Sequence, residues 1–306
     1  MKPATLLCLT LSLICLPLAV ADTPDASITP FGNVVQNYTL TWSDEFNGTA
    51  LDTDKWLYRT DSKMWSTQLP ANISIADGHL VIALKKEMVN KKKYTGGGVI
   101  SKQTFEYGYY EARFKVPPGS GWHTSFWTAF YPPAGNTKKP VHTQEIDICE
   151  QDSVRTTTYS AGVLAWDQRG KGYGRKYVKT PDLAKDFHVW GCEYTPTMVR
   201  FFFDGKLTHE TDGKFRHGPQ NIWLTCIASQ LGGTWGVLDR DLPSTAEFDY
   251  VRFFAAPGGG DFGTTTPPDT TTPDATPGTT TAPDATPAST NSPAATAPAT
   301  NAPATP

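Results

Sequence analysis

Between Gln144 and Gln151 the chain carries three carboxylates in six residues, Glu145-Ile146-Asp147-Ile148-Cys149-Glu150, in a stretch that otherwise reads as a buried strand. Side chains two apart on a strand share a face, so Glu145 and Asp147 point together while Glu150, an odd number of positions on, points away. A β-bulge at Ile148-Cys149 supplies the one extra residue that turns Glu150 back to the first face. Three acids would then line one surface, with Ile146 and Ile148 facing a core on the other. Two carboxyls about 5–5.5 Å apart suit retaining glycoside hydrolysis, one attacking the anomeric carbon and the other giving and later taking the leaving-group proton. A solvated polar strand edge or a metal site would use the same residue types. The two isoleucines argue against full exposure.

Such a strand needs partners, and the surrounding chain supplies them. Runs at 79–84, 107–116, 198–203 and 247–254 are aromatic or β-branched and mostly alternate in polarity. Turn signals separate them: Asp77-Gly78, Pro117-Pro118-Gly119, Asp204-Gly205 and Asp212-Gly213. The pattern predicts an all-β fold, a jelly-roll sandwich of two curved antiparallel sheets, with a substrate cleft on the concave face. No helix of consequence is expected beyond a short turn at Ala184 to His188.

The ends bound this unit. Met1 to Ala21 has Lys2, an apolar run from Leu6 to Val20 and a small-residue Ala19-Val20-Ala21 site, so 1–21 reads as a secretory signal peptide. Residues 22–257 read as the catalytic domain. From 258 to 306 the composition turns to Thr, Pro and Ala with near-repeats at 271–277 and 281–287, the signature of a disordered tail or spacer. No later stretch approaches a membrane span. The expected product is therefore secreted, extracellular or cell-wall associated, without a membrane span and monomeric.

A net charge of −3 with 19% charged residues gives no general attraction to nucleic acid or to anionic membrane. The basic runs Lys85-Lys86 and Lys91-Lys92-Lys93 flank a hairpin turn near Asn90, where a solvated turn or a contact with a sulfated polymer are both open. Of five cysteines, Cys149, Cys192 and Cys226 remain after the signal. An odd number allows one internal disulfide at most, and Cys192 with Cys226 is the weakly preferred pair. No Cys-x-x-Cys pair offers a zinc site.

Taken together, these residues resemble glycoside hydrolase family 16, the β-jelly-roll enzymes that include laminarinases, lichenases, agarases and carrageenases. Residues 41–47 and 51–56 are similar to the family's opening, 107–113 to its central strand, and 187–196 with 203–206 to its later hairpins. Residues 232–235 and 248–252 close the pattern. Glu145 to Glu150 is similar to the six-residue, bulged form of the family signature. The resemblance implies Glu145 as nucleophile, Glu150 as acid/base and Asp147 as the assisting acid between them. It implies a carboxyl raised in pKa at Glu150 and an ionised one at Glu145.

A polysaccharide is the implied partner. Sugar rings stack on indole, and Trp122, Trp127, Trp166 and Trp235 are the candidate platforms. Alternation places His123, Ser125 and Trp127 on one face, where a neutral His123 could bond a sugar hydroxyl or Asp147. The resemblance implies no cofactor for catalysis. It does imply a structural calcium ion at the positions matching Glu45, Gly78 and Asp249.

The chain departs from laminarinases in two places. It has His123-Thr-Ser-Phe-Trp127 where they carry Trp-Pro-Ala-Phe-Trp, and Ser160-Ala-Gly-Val-Leu164 where they carry His-Gly-Thr-x-His. The expectation is an endo-acting retaining hydrolase of β-linked polysaccharide, with β-1,3-glucan first. A β-galactan hydrolase, a cell-wall transglycosylase and a non-catalytic carbohydrate-binding jelly roll are the alternatives.

Overall fold

A computed structural model describes residues 24–130, 144–229 and 236–257. The signal peptide and tail expected at 1–21 and 258–306 lie outside the described residues, as does Trp235. The described chain is all-β, with 3-10 turns as its only helical pieces.

Among the described residues seventeen strands follow in chain order. They are β1 (Thr39–Asp44), β2 (Trp56–Tyr58), β3 (Ser62–Lys63), β4 (Ser66–Gln68), β5 (Ile73–Ala76), β6 (His79–Val89), β7 (Lys92–Phe105), β8 (Gly108–Lys115) and β9 (Trp122–Ala129). Then come β10 (Gln144–Asp152), β11 (Thr158–Ala165), β12 (Lys171–Lys179), β13 (His188–Tyr194), β14 (Met198–Phe203), β15 (Lys206–Asp212), β16 (Gln220–Ala228) and β17 (Ser244–Ala255).

Two antiparallel ladders form the layers of a jelly roll. In the first, β17 pairs with β6 and β1 on one side and β8 on the other, and β8 continues through β13 and β14 to β15. In the second, β2, β7, β16, β9, β10, β11 and β12 lie side by side. The long β6–β7 hairpin joins the layers, and β4 adds to β7 in parallel. Its turn, Asn90-Lys91, has both residues at positive φ, as a tight hairpin turn demands. Lys86 and Lys93 beside it both pair with Asp239, at 2.8 and 3.2 Å.

The alternation read from the sequence is what fills the space between layers. Leu80, Ile82 and Leu84 of β6 point inward, as do Tyr110, Ala112 and Phe114 of β8. Phe114 stacks on Trp190 at 3.8 Å and on Phe248 at 4.7 Å, tying three strands of one sheet together. Each such side chain removed from water stabilises the fold by about 1.5–3 kcal/mol. Tyr109 and Phe254 face the other way and form a smaller cluster with Val35, Leu40 and Phe202.

The preferred disulfide is not formed. Cys149, Cys192 and Cys226 are all free and buried. Cys192 lies on β13 in the first layer and Cys226 on β16 in the second, and both are fully buried as small apolar residues of the core.

Candidate active site

The second layer turns Ile146, Ile148 and Cys149 of β10 into the core and presents the three acids on its opposite face. The predicted bulge is present. Asp147 pairs with Trp127 and Cys149 with the adjacent Phe126 on β9, so Ile148 is the extra residue. Against β11 the register moves from Asp147 opposite Gly162 to Glu150 opposite Ser160. Glu145, Asp147 and Glu150 therefore share one face.

Register also names their neighbours. Glu145 is level with Ala129 and Leu164, Asp147 with Trp127 and Gly162, Glu150 with Ser125 and Ser160, and Asp152 with His123. On the far side of β9, Trp223 of β16 is level with Trp127. The two indoles stack at 4.5 Å and make an aromatic patch beside Asp147. Trp166, on a 3-10 turn after β11, is 41% exposed, and its Nε1–H donates to Glu145 Oε2 at 3.1 Å.

The acids differ in electrostatics. Burial pushes the Glu145 carboxyl up and the charge of Glu150 adds to this, opposed by the hydrogen bonds of Trp166 and Asp147 and by the charge of Lys63. Asp147 is pushed well above the ordinary range by burial and by the charges of Glu150 and Glu145. It is the acid that keeps its proton. Glu150 goes the other way. Burial raises it, but the hydrogen bond and charge of His123, with the charge of Arg175, outweigh burial and hold it below the ordinary carboxylate value. This reverses the resting state expected for an acid/base.

Two cations cause that reversal. His123 is buried, with Nδ1 2.9 Å from Asp152 Oδ1 and Nε2 3.4 Å from Glu150 Oε1. Burial works against its charge, yet the two carboxylates push its pKa up to about 9. It is thus a cation paired with Asp152 and Glu150, not a neutral ring facing a sugar or Asp147. Arg175 Nη2 donates to Glu150 Oε2 in a close ion pair and to Ser160 Oγ at 3.1 Å. Ser160 Oγ donates to Glu150 Oε2 at 3.4 Å.

Arg175 reaches the site through a second bulge. Val163 of β11 pairs with Tyr173 and Ala161 with Lys176, so Gly174 and Arg175 together oppose the single residue Gly162. Gly174 takes φ +59°, the left-handed conformation such a bulge needs. A Cβ on Gly162 would lie 2.7 Å from the Arg175 Cα, so only glycine lets the two strands close there. Two residues further on, the 66% exposed Tyr177 is level with Ser160.

The other expected residues divide. Trp127 is half-buried on the acid face, and Trp166 donates to Glu145. Trp122 does not join them: it is 1% exposed in the core and meets Tyr94 edge-on at 6.2 Å. The alternation that puts His123 and Trp127 on one face already puts Trp122 on the other. Trp223, Arg175 and Tyr177 were not anticipated. Trp223 was legible from alternation along Gln220–Ala228, whereas Arg175 and Tyr177 depend on the bulge.

The calcium positions lie elsewhere, on the first layer and its turns. Arg252 holds Glu45 with two hydrogen bonds of 2.9 and 2.7 Å. Asp249, the side-chain donor of the expected set, faces the Arg113 guanidinium and, at 3.6 Å, the His79 ring. A carboxylate committed to a guanidinium does not fit calcium as it stands. Among the described residues no group of three or more His, Cys, Asp or Glu side chains converges on a metal-sized space.

Known proteins agree with this architecture. The model of the family "Beta-porphyranase A-D, GH16 domain" matches residues 38–255. A β-glucanase of Rhodothermus marinus is 27% identical over 258 residues, 71% of this chain and 85% of the relative. Beta-porphyranase E of Zobellia galactanivorans is 29% identical over 244 residues, 70% of this chain and 85% of the relative. Among solved structures, the laminarinase catalytic domain of Thermotoga maritima superposes with a TM-score of 0.65 at 22% identity, covering 72% of this chain and 98% of that one, a likeness of fold. With the bulged acid strand and a family model spanning nearly all the described residues, the chain belongs to glycoside hydrolase family 16 and is a glycoside hydrolase.

Proposed function

We propose that this chain is an exported, endo-acting hydrolase that cleaves β-linked polysaccharide with retention, Glu145 being the nucleophile, Glu150 the acid/base and Asp147 the assisting acid. The observation that carries this is the bulge at Ile148, which brings three acids to one face. In the first step a Glu145 oxygen bonds to the anomeric carbon as the glycosidic bond breaks, and the leaving oxygen takes a proton from Glu150. Asp147, protonated, donates a hydrogen bond to Glu145 and disperses its charge as the ester forms and later breaks. In the second step Glu150 takes a proton from water, which displaces Glu145 from the same carbon. Two inversions leave the original β configuration. Trp127 with Trp223, and Trp166, offer apolar faces to sugar rings, and 258–306 serves as a spacer.

For the substrate, a β-1,3-glucan is the first reading, supported by relatives named as β-glucanases and by one named as a glucan endo-1,3-β-glucosidase. A β-galactan is the second. The matched porphyranase family, relatives named as porphyranase and κ-carrageenase, and an arginine beside Glu150 favour it. A reducing-sugar screen over laminarin, mixed-linkage glucan, agarose, porphyran and carrageenans, with Glu145→Gln as control, separates them. Release from laminarin alone supports the first, and release from a galactan alone the second. Release from none, or equal release by Glu145→Gln, refutes the proposal.

A further inference from the structure

Glu150 must be protonated to start the reaction, yet two cations hold it ionised. They are not equivalent. His123 is buried and pinned on both nitrogens between Asp152 and Glu150, so it cannot leave without abandoning two charges in the interior. Arg175 has 41% of its side chain exposed on the cleft side of β12, and can swing into solvent on a long, flexible stem. Its backbone is set by the Gly174-Arg175 bulge against Gly162, a local arrangement that aims this side chain over Glu150.

A neutral sugar hydroxyl is a poor competitor for a guanidinium already bound to a carboxylate. A second oxyanion is a good one, since it offers the same charge-assisted hydrogen bonds. We infer that Arg175 is a substrate-operated latch on Glu150, released by an anionic substituent, a sulfate ester or a carboxylate, on a sugar flanking the cleaved bond. This rests on Glu150 being the acid/base. When the substituent takes the guanidinium, Glu150 keeps one cationic partner instead of two, its proton affinity rises, and it takes up a proton from bulk solvent to become the acid the first step needs. Specificity and activation are then one event.

The groups facing this pair bear on its titration. Glu150 meets His123 from β9, Asp147, Asp152 and, further along, Glu145 from its own strand, Ser160 from β11 and Arg175 from β12. Arg175 meets Glu150, Asp147 and Tyr177. Removing the guanidinium charge takes away one of the groups that hold Glu150 low, so Glu150 must titrate at higher pH.

The test compares wild type, Arg175→Gln and Arg175→Lys on the polysaccharide cleaved best, in three matched forms: neutral, sulfated, and oxidised at C6 to carboxylate. Laminarin or desulfated porphyran supplies the neutral form. Wild type should prefer one anionic form by about tenfold in kcat/KM, the size of one charge-assisted hydrogen bond, and which form it prefers identifies the substituent. Arg175→Gln should lose the preference, and on the neutral form the acidic limb of its kcat/KM profile, which reports Glu150 in the free enzyme because Glu150 titrates below Glu145, should move to higher pH. Arg175→Lys keeps the charge but not the fork and should fall between. Equal cleavage of all three forms by wild type, or an unmoved acidic limb in Arg175→Gln, overturns the latch while leaving the hydrolase assignment intact.

Discussion

Trp166 donates its indole N–H to Glu145 at 3.1 Å, so the most exposed tryptophan of the site is wired to the carboxyl assigned as nucleophile. That hydrogen bond favours the ionised carboxylate against burial, which raises its pKa. Trp166→Phe keeps an aromatic face and removes the donor. Glu145 should then ionise at higher pH, so the basic limb of kcat/KM, which Glu145 governs because it titrates above Glu150, moves upward, and the plateau of activity falls by about tenfold. An unchanged basic limb would show that the contact does not govern the nucleophile.

The two glutamates can be told apart chemically. With Glu150→Ala and an activated aryl glycoside, whose leaving group needs no proton, the Glu145 ester still forms, and added azide should rescue turnover as the β-glycosyl azide. With Glu145→Ala, azide attacks from the vacated side and should give the α anomer. Proton NMR of the products decides the matter, and swapped anomers would reverse the two assignments.

His123 makes stability depend on pH. In the fold it holds its proton up to about 9, against 6.5 for an unperturbed ring. The stabilisation is therefore complete below 6.5 and is lost as the pH rises through about 9. Its size is on the order of 3 kcal/mol. His123→Gln should be less stable at pH 6 and show a flatter decline between pH 7 and 10 in denaturant titrations. If wild type and variant lose stability in parallel over that range, the ring is not a cation in the fold.

Gly162 tests the second bulge. In Gly162→Ala the new methyl would stand 2.7 Å from the Arg175 Cα, a backbone atom that cannot rotate away. The expected cost is about 1–3 kcal/mol of stability, with Arg175 displaced from Glu150. The acidic limb of the activity profile should therefore rise as it does in Arg175→Gln. A variant of wild-type stability and wild-type profile would mean that the strands part there without consequence.

The sequence alone made the acid strand readable because its logic is local: alternation and one inserted residue fix where Glu145, Asp147 and Glu150 point. The sandwich was readable for the same reason, in the inward sets such as Leu80, Ile82 and Leu84. Electrostatics was not. Glu150 acquires its character from His123 and Arg175, which lie on other strands and meet it only through strand register, and Arg175 only through a bulge opposite Gly162. Trp122 was misplaced for a simpler cause, since aromatic type was weighed above the alternation that assigns it to the core. The cysteine pair failed because two strand-like segments can belong to different layers.

β12 has a further consequence, for behaviour at high concentration. It ladders with β11 on one side, and no strand among the described residues pairs with its other edge. β15 of the first layer comes up against this strand, with Thr211 beside Gly174 and Thr208 O 2.8 Å from Lys176 Nζ, and the remainder of the nine-residue edge is where a second copy would add a strand. Lys171, Lys176 and Lys179 make this strand cationic, and the Gly174-Arg175 bulge breaks the regular spacing of backbone donors and acceptors that a partner would have to match. Two such edges repel and cannot stay in register, so the strand that carries the arginine also guards the sheet against edge-to-edge aggregation.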